Sequence, residues 1–138
     1  MNKEDKSLLL QDLCARLPYG VKIKLGDFNY QVCGYNSEKP LPLKIWYYYR
    51  NSSKSLIDVY LEDYHPYLRP MSSMTEEEKE EYGKVCELDT EILANHSMNG
   101  EPFPALYNSQ DWLNKYHFDY RGLIERGLAI EAPKEMYN

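Results

Sequence analysis

The residues best suited to bind an anion lie on either side of Pro70, shortly before a predicted helix start. Arg69, Ser72 and Ser73 precede Thr75, and the helix predicted after Thr75 would add the backbone N–H groups of its N-terminus. These groups could surround a phosphate or a carboxylate. However, residues 76–78 are all glutamates, which complement the helix dipole themselves and repel an incoming anion. The segment therefore predicts either an anion site or an ordinary capped helix.

Three histidines are the candidates for acid–base chemistry. We add His65 to the candidate ligand site with Arg69, and His117 has a carboxylate, Asp119, two residues further on. His96 lies between amides and hydroxyls. The chain contains neither a nucleophile elbow nor an HExxH motif. We therefore predict no catalytic residue and favour a protein that is not an enzyme.

The cysteines and the apolar runs bear on cofactors and compartment. Cys14, Cys33 and Cys86 have no CxxC or Cys-His spacing, and an odd number of cysteines argues against a disulfide framework. We expect reduced thiols, no metal and no cofactor. No signal-peptide core follows the N-terminus, and no window approaches the ~18 apolar residues of a membrane span. The sequence thus predicts a cytoplasmic protein that does not enter a membrane.

An aromatic run in a predicted strand is the main candidate for an interaction surface. Trp46, Tyr47, Tyr49 and Arg50 combine rings with a cation, as protein interfaces often do. Alternate residues of a strand face opposite sides of the sheet. Either Trp46 and Tyr48 enter the core while Tyr47 and Tyr49 face outward, or the reverse holds. We predict that these rings, with Arg50, contact a protein partner or a second copy of the chain.

Charge is distributed unevenly along the chain. The formal net charge is −6, and residues 1–60 carry +3 while residues 61–138 carry −9. An acidic protein makes a poor general nucleic-acid binder, because that function needs a cationic surface. The glutamate run at residues 76–81 could instead imitate a phosphate backbone, although such a run is usually a solvated helix face. Fourteen tyrosines suggest half-buried sheet faces or a contact surface.

The first half of the chain predicts one helix followed by strands. Apolar residues at helical spacing predict a helix over residues 3–17, capped by Asn2 and ended by Pro18 and Gly20. Alternating segments then predict a hairpin, with strands at residues 21–25 and 30–35. Segments rich in β-branched and aromatic residues predict two more strands, at residues 43–50 and 56–61.

The second half predicts helices. Thr75 and Glu78 form a capping box that starts a helix running to about residue 88. A short helix is expected at residues 111–116, and a further helix is expected after Asp119, in which Tyr120, Leu123, Ile124 and Leu128 share one face. Residues 89–108 carry no clear pattern, and residues 134–138 are expected to fray.

Three blocks of sequence resemble a known family. They are residues 8–21 (LLLQDLCARLPYGV), 66–82 (PYLRPMSSMTEEEKEEY) and 111–133 (DWLNKYHFDYRGLIERGLAIEAP). The family consists of small proteins of gut anaerobic bacteria and of their phages and prophages. The resemblance implies a bacterial or phage-encoded cytoplasmic protein. It transfers no catalytic residue, because no activity is established for the family.

These observations together predict one α+β domain over residues 1–138. It would comprise an N-terminal helix, an antiparallel sheet of about three to five strands, and a helical C-terminal half packed on one sheet face. We expect a non-catalytic protein that binds another macromolecule through the aromatic sheet face or the acidic helical surface. The alternatives are a small-ligand binder or enzyme with a site near Arg69, and a phage-type inhibitor that acts by acidic mimicry.

Overall fold

The computed structural model describes residues 2–36, 43–49, 53–95 and 108–137. Within these ranges the chain forms α-helices, β-strands and three short 3-10 turns, so the predicted α+β class is confirmed. The elements in chain order are α1 (Lys3–Arg16), β1 (Lys22–Leu25), β2 (Phe28–Asn36), β3 (Leu43–Tyr49), β4 (Ser53–Val59), β5 (His65–Pro70), α2 (Glu76–Ala94), α3 (Asn108–Lys115), β6 (Phe118–Asp119) and β7 (Ile130–Glu131).

The sheet is mixed, with a long antiparallel part and a short parallel part. Strands β4, β3, β2, β1 and β5 lie in that order, and each pairs with its neighbour in antiparallel fashion. The two-residue strands β6 and β7 pair with β5 in parallel. The sequence did not predict β5, because Pro66 and Pro70 are unfavourable in a central strand. Its carbonyls and remaining N–H groups nevertheless pair on both sides.

Helix α1 covers one face of the sheet. The side chain of Asn2 accepts a hydrogen bond from the backbone N–H of Asp5 at 2.8 Å, as an N-cap does. Leu9 and Leu13, on the same side of the helix, are fully buried. They join the main core with residues of the sheet and of the turn that follows β6, among them Val21, Ile23, Val32, Val59, Leu68, Leu123 and Leu128.

The pairing of β2 with β3 decides which sheet face each aromatic residue occupies. Tyr47 is the Cα partner of Val32, a fully buried residue, so Tyr47 lies on the core face. Trp46 therefore lies on the opposite, outer face, where it is 39% exposed. By the same alternation, position 49 falls on the core face with position 47. Of the two arrangements left open by the sequence, the structure has Trp46 outside.

Helices α2 and α3 form a second, aromatic cluster. The predicted capping box is present: Thr75 accepts from the N–H of Glu78, whose carboxylate accepts from the N–H of Thr75. The helix continues beyond the predicted end at residue 88 to Ala94. Trp112 and Phe118 stack with ring centroids 5.7 Å apart, and Trp112 also stacks on Tyr82 of α2. This cluster is linked to the sheet through β6.

The predicted helix after Asp119 is wrong. Residues 121–129 form a series of turns, and Gly122 and Gly127 each have a φ of +73°, a left-handed conformation that ends a helix. The carboxylate of Asp119 does accept backbone N–H groups, but from Leu123 and Ile124 of a turn. The apolar spacing that indicated a helix instead places two leucines in the core.

The expectation of a frayed C-terminus is also wrong for residues 134–137. They form a turn that brings the Tyr137 ring back onto the fold, where the ring lies 3.8 Å from the ring of His117, centroid to centroid. None of the helices within the described ranges is long and apolar enough to cross a membrane.

Candidate functional site

The predicted anion site lies at the end of β5, beside the start of α2. Arg69 leaves β5 with its guanidinium 4.1 Å above the Phe118 ring. Its two terminal nitrogens donate to the two carboxylate oxygens of Glu78, at 2.8 and 2.7 Å. This bidentate geometry is the strong form of an arginine–carboxylate pair. Arg69 therefore already has an anionic partner from its own chain.

The charge state of Glu78 strengthens this conclusion. The Arg69 guanidinium, with the backbone N–H of Thr75, lowers the pKa of Glu78 from 4.5 to about 2, despite partial burial that acts in the opposite direction. Glu78 is thus ionised throughout the neutral range. An external phosphate would have to displace a carboxylate that is bound at two points and held by the capping box.

The other predicted ligand-binding residues are divided between two places. Ser73 lies near Arg69, but its hydroxyl donates to the carbonyl of Pro70 at 2.7 Å and so stabilises the turn. Ser72 is exposed in the same turn and is not among the residues that line the groove there. His65 lies elsewhere, in a shallow depression with Lys24, Asp63 and Ile130. The structure thus brings Arg69 and Ser73 together but leaves His65 apart.

A groove of about 580 Å³ does exist beside Arg69. One wall comes from the end of β5 and the start of α2, and the other wall comes from residues 131–134 and Tyr137. Much of the lining is apolar, from Pro70, Ala132 and Pro133. Lys134, on the rim, is exposed. The groove can accept a small or peptide-like group, but its main cation is already paired.

Tyr137 lines this groove and stacks on His117. The Tyr137 hydroxyl accepts from the backbone N–H of Lys22 at 2.9 Å and donates to the carbonyl of Tyr67 at 2.7 Å, so it bridges β1 and β5. Desolvation, with the nearby charge of Arg16, lowers the pKa of His117 from 6.5 to about 4. A neutral, buried imidazole stacked on a tyrosine is a structural residue here, and Asp119 does not face it as a partner in any hydrogen bond described.

A buried ion pair in α1 was not predicted from the sequence. Asp12 and Arg16 have no exposed side-chain surface and are joined by a 2.9 Å hydrogen bond. Arg121 donates to the same carboxylate oxygen at 2.8 Å, and Arg16 also donates to the carbonyl of Phe118 at 2.6 Å. The only signal in the sequence was an Asp and an Arg four residues apart on the apolar side of a helix.

One of the predicted interaction residues, Trp46, lies exposed on the outer sheet face. Trp46 lies across Gly34, where a Cβ would be 3.6 Å from the indole Cδ1. Strands β1, β2 and β4 contribute further exposed residues to the same face, namely Lys24, Asn29, Gln31 and Asp58. Tyr47 and position 49 belong to the opposite face. Arg50, like His96, lies outside the described residues.

The acidic surface of α2 is partly neutralised by its own lysines. Glu76, Glu80, Glu87 and Glu91 are exposed and recur at helical spacing along one side. Lys79 lies 3.0 Å from Glu76, and Lys84 lies 3.6 Å from Glu80. The row of carboxylates is therefore interrupted by positive charge, unlike the backbone of a nucleic acid.

No group of three or more histidine, cysteine or acidic side chains within the described residues is arranged to hold a metal ion. None of the three cysteines forms a disulfide, and all three lie within the described residues; Cys14 is exposed, and Cys33 and Cys86 are half-buried. Comparisons of the chain with protein-family profiles, with curated proteins and with solved structures each give no match.

Proposed function

We propose that the protein is a non-catalytic cytoplasmic binding protein that holds an acidic surface of another protein against its outer sheet face. The observation that carries this proposal is the exposed Trp46 on a sheet face that α1 does not cover. A large ring held in place by its neighbours loses little conformational entropy on binding, which makes it a suitable anchor for an interface.

The charges of this face favour an acidic partner. Lys24 of β1 is exposed on this face, and the backbone register assigns positions 44 and 54, both lysines, to the same face. The ammonium of Lys22 instead donates to the carbonyl of Met136 at 2.8 Å. Asp58 is the acidic residue paired with position 44. A nucleic acid is the less suitable anion, because its regularly spaced phosphates require a larger cationic surface than a few lysines provide on a molecule with a net charge of −6.

Two variants of this face and one control test the proposal. Trp46→Ala removes the ring and Lys24→Glu reverses an exposed charge, whereas Tyr60→Ser changes an exposed aromatic residue in the loop that follows β4. Each tagged protein is used to capture partners from the native host, and the captured proteins are quantified by mass spectrometry. We expect an acidic protein that the unchanged chain and Tyr60→Ser retain and that both face variants lose.

A direct binding measurement then tests whether the partner contacts the outer face. Trp112 is buried, so a change in the emission of the exposed Trp46 on adding the purified partner reports on the outer face. Equal capture by all variants would contradict the proposal. Recovery of nucleic acid or of a bound metabolite in place of a protein would also contradict it.

The groove beside Arg69 is the second candidate, because it has both volume and an arginine. It has less support, since Glu78 occupies the guanidinium. Titration with inorganic phosphate, followed by the NMR shifts of the Arg69 and Ser73 amides, tests it. We expect no saturable change, and saturation at millimolar phosphate or below would move the functional site to this groove.

A further inference from the structure

Strand β4 is the edge of the sheet. It pairs with β3 over seven residue pairs, and no strand lies on its other side within the described part of the chain. Alternate residues of an edge strand present unpaired N–H and C=O groups that can pair with another strand. The segment Ser53–Val59 contains no proline, so its backbone donors are complete.

The sequence of this edge is complementary to itself. If two copies of β4 run antiparallel about a two-fold axis through Leu56, each Lys54 lies opposite the partner's Asp58. Shifting this register by one residue in either direction removes both ion pairs. The charges thus favour one register out of the several that the backbone alone allows.

Neighbouring residues on β3 support the same register. Within one chain, Asp58 is paired with Lys44, and Leu56 is paired with Trp46. In the two-fold arrangement Asp58 would lie between Lys44 of its own chain and the partner's Lys54. The two Leu56 positions would meet at the axis, with a Trp46 position one strand away on each side. Apolar residues then occupy the centre and opposite charges flank them.

We propose that the protein forms a two-fold dimer in which the β4 strands of two copies pair antiparallel, with Lys54 opposite the partner's Asp58. The dimer joins two five-stranded antiparallel segments into one sheet. It does not depend on the partner proposed above, because it uses the strand edge and engages Lys54 and Asp58 while leaving Trp46 and Lys24 of the outer face outside the pairing.

Charge reversal provides a specific test by sedimentation velocity across a concentration series. Lys54→Asp places two aspartate pairs across the axis, and Asp58→Lys places two lysine pairs there. We expect each single variant to weaken dimerisation about tenfold or more, because attraction becomes repulsion at two pairs. The double variant Lys54→Asp/Asp58→Lys restores opposite charges, so its dimer should return toward the original strength.

The two single variants also complement each other when mixed. A copy with two aspartates and a copy with two lysines form opposite pairs at both positions, so an equimolar mixture should contain heterodimer although neither variant dimerises well alone. Recovery in the mixture shows that the weakened association came from charge and not from misfolding. Lys24→Glu, on β1 and away from the edge, is the control and should leave the dimer unchanged.

The outcomes that would overturn the dimer are clear. A wild-type chain that sediments as a monomer at every concentration excludes it, and a dimer that survives both single variants places the interface elsewhere. Amide hydrogen exchange adds a second readout: protection of β4 amides should rise with protein concentration. Protection that instead requires a different protein would show that the edge pairs with a strand of another partner. If Lys24→Glu no longer captures the acidic partner but still dimerises, partner binding and dimerisation through β4 are independent.

Discussion

Asp12 and Arg16 make an ion pair with no exposure to solvent, and burying such a pair is costly unless its hydrogen bonds are met. One oxygen of Asp12 accepts from two arginines. Its second oxygen and one terminal nitrogen of Arg16 are buried with no hydrogen-bond partner among the described residues. The pair thus lacks some of its possible hydrogen bonds. Removing one partner should therefore destabilise the fold more than replacing both partners with apolar side chains.

A double-mutant cycle tests the value of this pair. We expect Asp12→Leu alone to lower the free energy of unfolding by about 3–5 kcal/mol, because it leaves the buried Arg16 without a carboxylate. Arg16→Met should cost less, because Asp12 keeps its hydrogen bond from Arg121. The double variant should lose clearly less than the sum, since apolar side chains of similar size suit the site. Urea unfolding measures all three. Lys84→Ala, from the exposed Lys84–Glu80 pair, is the control and should have no measurable effect. Additive losses would contradict the coupling.

His117 should make the protein sensitive to moderate acid. Its pKa is about 4 in the fold against 6.5 in an exposed histidine, so below pH 6.5 the unfolded chain binds the proton more readily. The contribution of neutral His117 to the free energy of unfolding is therefore complete above pH 6.5. The free energy of unfolding falls by roughly 3 kcal/mol as the pH falls from 6.5 to about 4.

The variant His117→Asn isolates this effect, because asparagine tolerates the φ of +63° at this position and does not titrate. We expect a flatter dependence of unfolding free energy on pH in this window, even though the loss of stacking on Tyr137 lowers stability at neutral pH. Urea unfolding at stepped pH measures it. An unchanged slope would assign the acid sensitivity to another group.

Glu78 should make the stability of the fold depend on pH at lower pH than His117 does. Its pKa is depressed from 4.5 to about 2, so its stabilising contribution is complete above pH 4.5 and is lost as the pH falls through 2. Glu78→Gln should lower the free energy of unfolding by about 1–2 kcal/mol at neutral pH, a range reduced for partial solvent screening. The two curves should converge toward pH 2. Glu76→Gln, whose carboxylate is exposed, should match the wild type throughout.

At the scale of the elements, local chemistry determined those parts of the fold that could be predicted. The cap at Asn2 and the capping box at Thr75 each depend on residues within a few positions. The aromatic strand was also predictable, but the face that each ring occupies was not. That choice depends on which face α1 covers, and a packing partner distant in sequence decides it.

The elements that escaped prediction depend on contacts distant in sequence. Strand β5 contains two prolines and is stabilised by neighbours on both sides, from β1, β6 and β7. The turns of residues 121–129 have helical apolar spacing, yet two left-handed glycines end any helix. At the candidate site, Arg69 and Ser73 are close in sequence, so their proximity could be predicted. The pairing of Arg69 with Glu78 across a turn could not be predicted from the sequence and is seen in the structure.

The C-terminal turn should stabilise the β1–β5 pairing through one hydroxyl. Tyr137→Phe removes the oxygen that joins the N–H of Lys22 to the carbonyl of Tyr67. We expect a loss of about 1–2 kcal/mol and faster hydrogen exchange at the Lys22 amide, because buried backbone groups lose their partner. NMR hydrogen exchange measures it residue by residue. Tyr60→Phe, at an exposed tyrosine, is the matched control. Unchanged exchange at Lys22 would show that the bridge contributes nothing.

At the scale of the whole molecule, two apolar clusters are connected at one short strand, β6. The main core joins α1, the sheet and the turns after β6, whereas the aromatic cluster joins α2 and α3 around Trp112. Phe118 of β6 belongs to the aromatic cluster. Its carbonyl accepts a hydrogen bond from Arg16 of α1, the helix that packs on the main core. Helix α2 has only one buried residue, Asp89, so its attachment depends largely on the aromatic cluster.

This division predicts that α2 can open while the sheet stays folded. Trp112→Ala removes a ring that stacks on Tyr82 and Phe118 and whose indole N–H donates to Glu81, so it should destabilise the attachment of α2 by about 3–5 kcal/mol. Hydrogen exchange with mass spectrometry should show loss of protection in α2 and retained protection in β1 and β2. Leu13→Ala, a main-core variant, should instead lower protection in the sheet. Equal loss in α2 and the sheet from Trp112→Ala would mean that both clusters unfold as one unit.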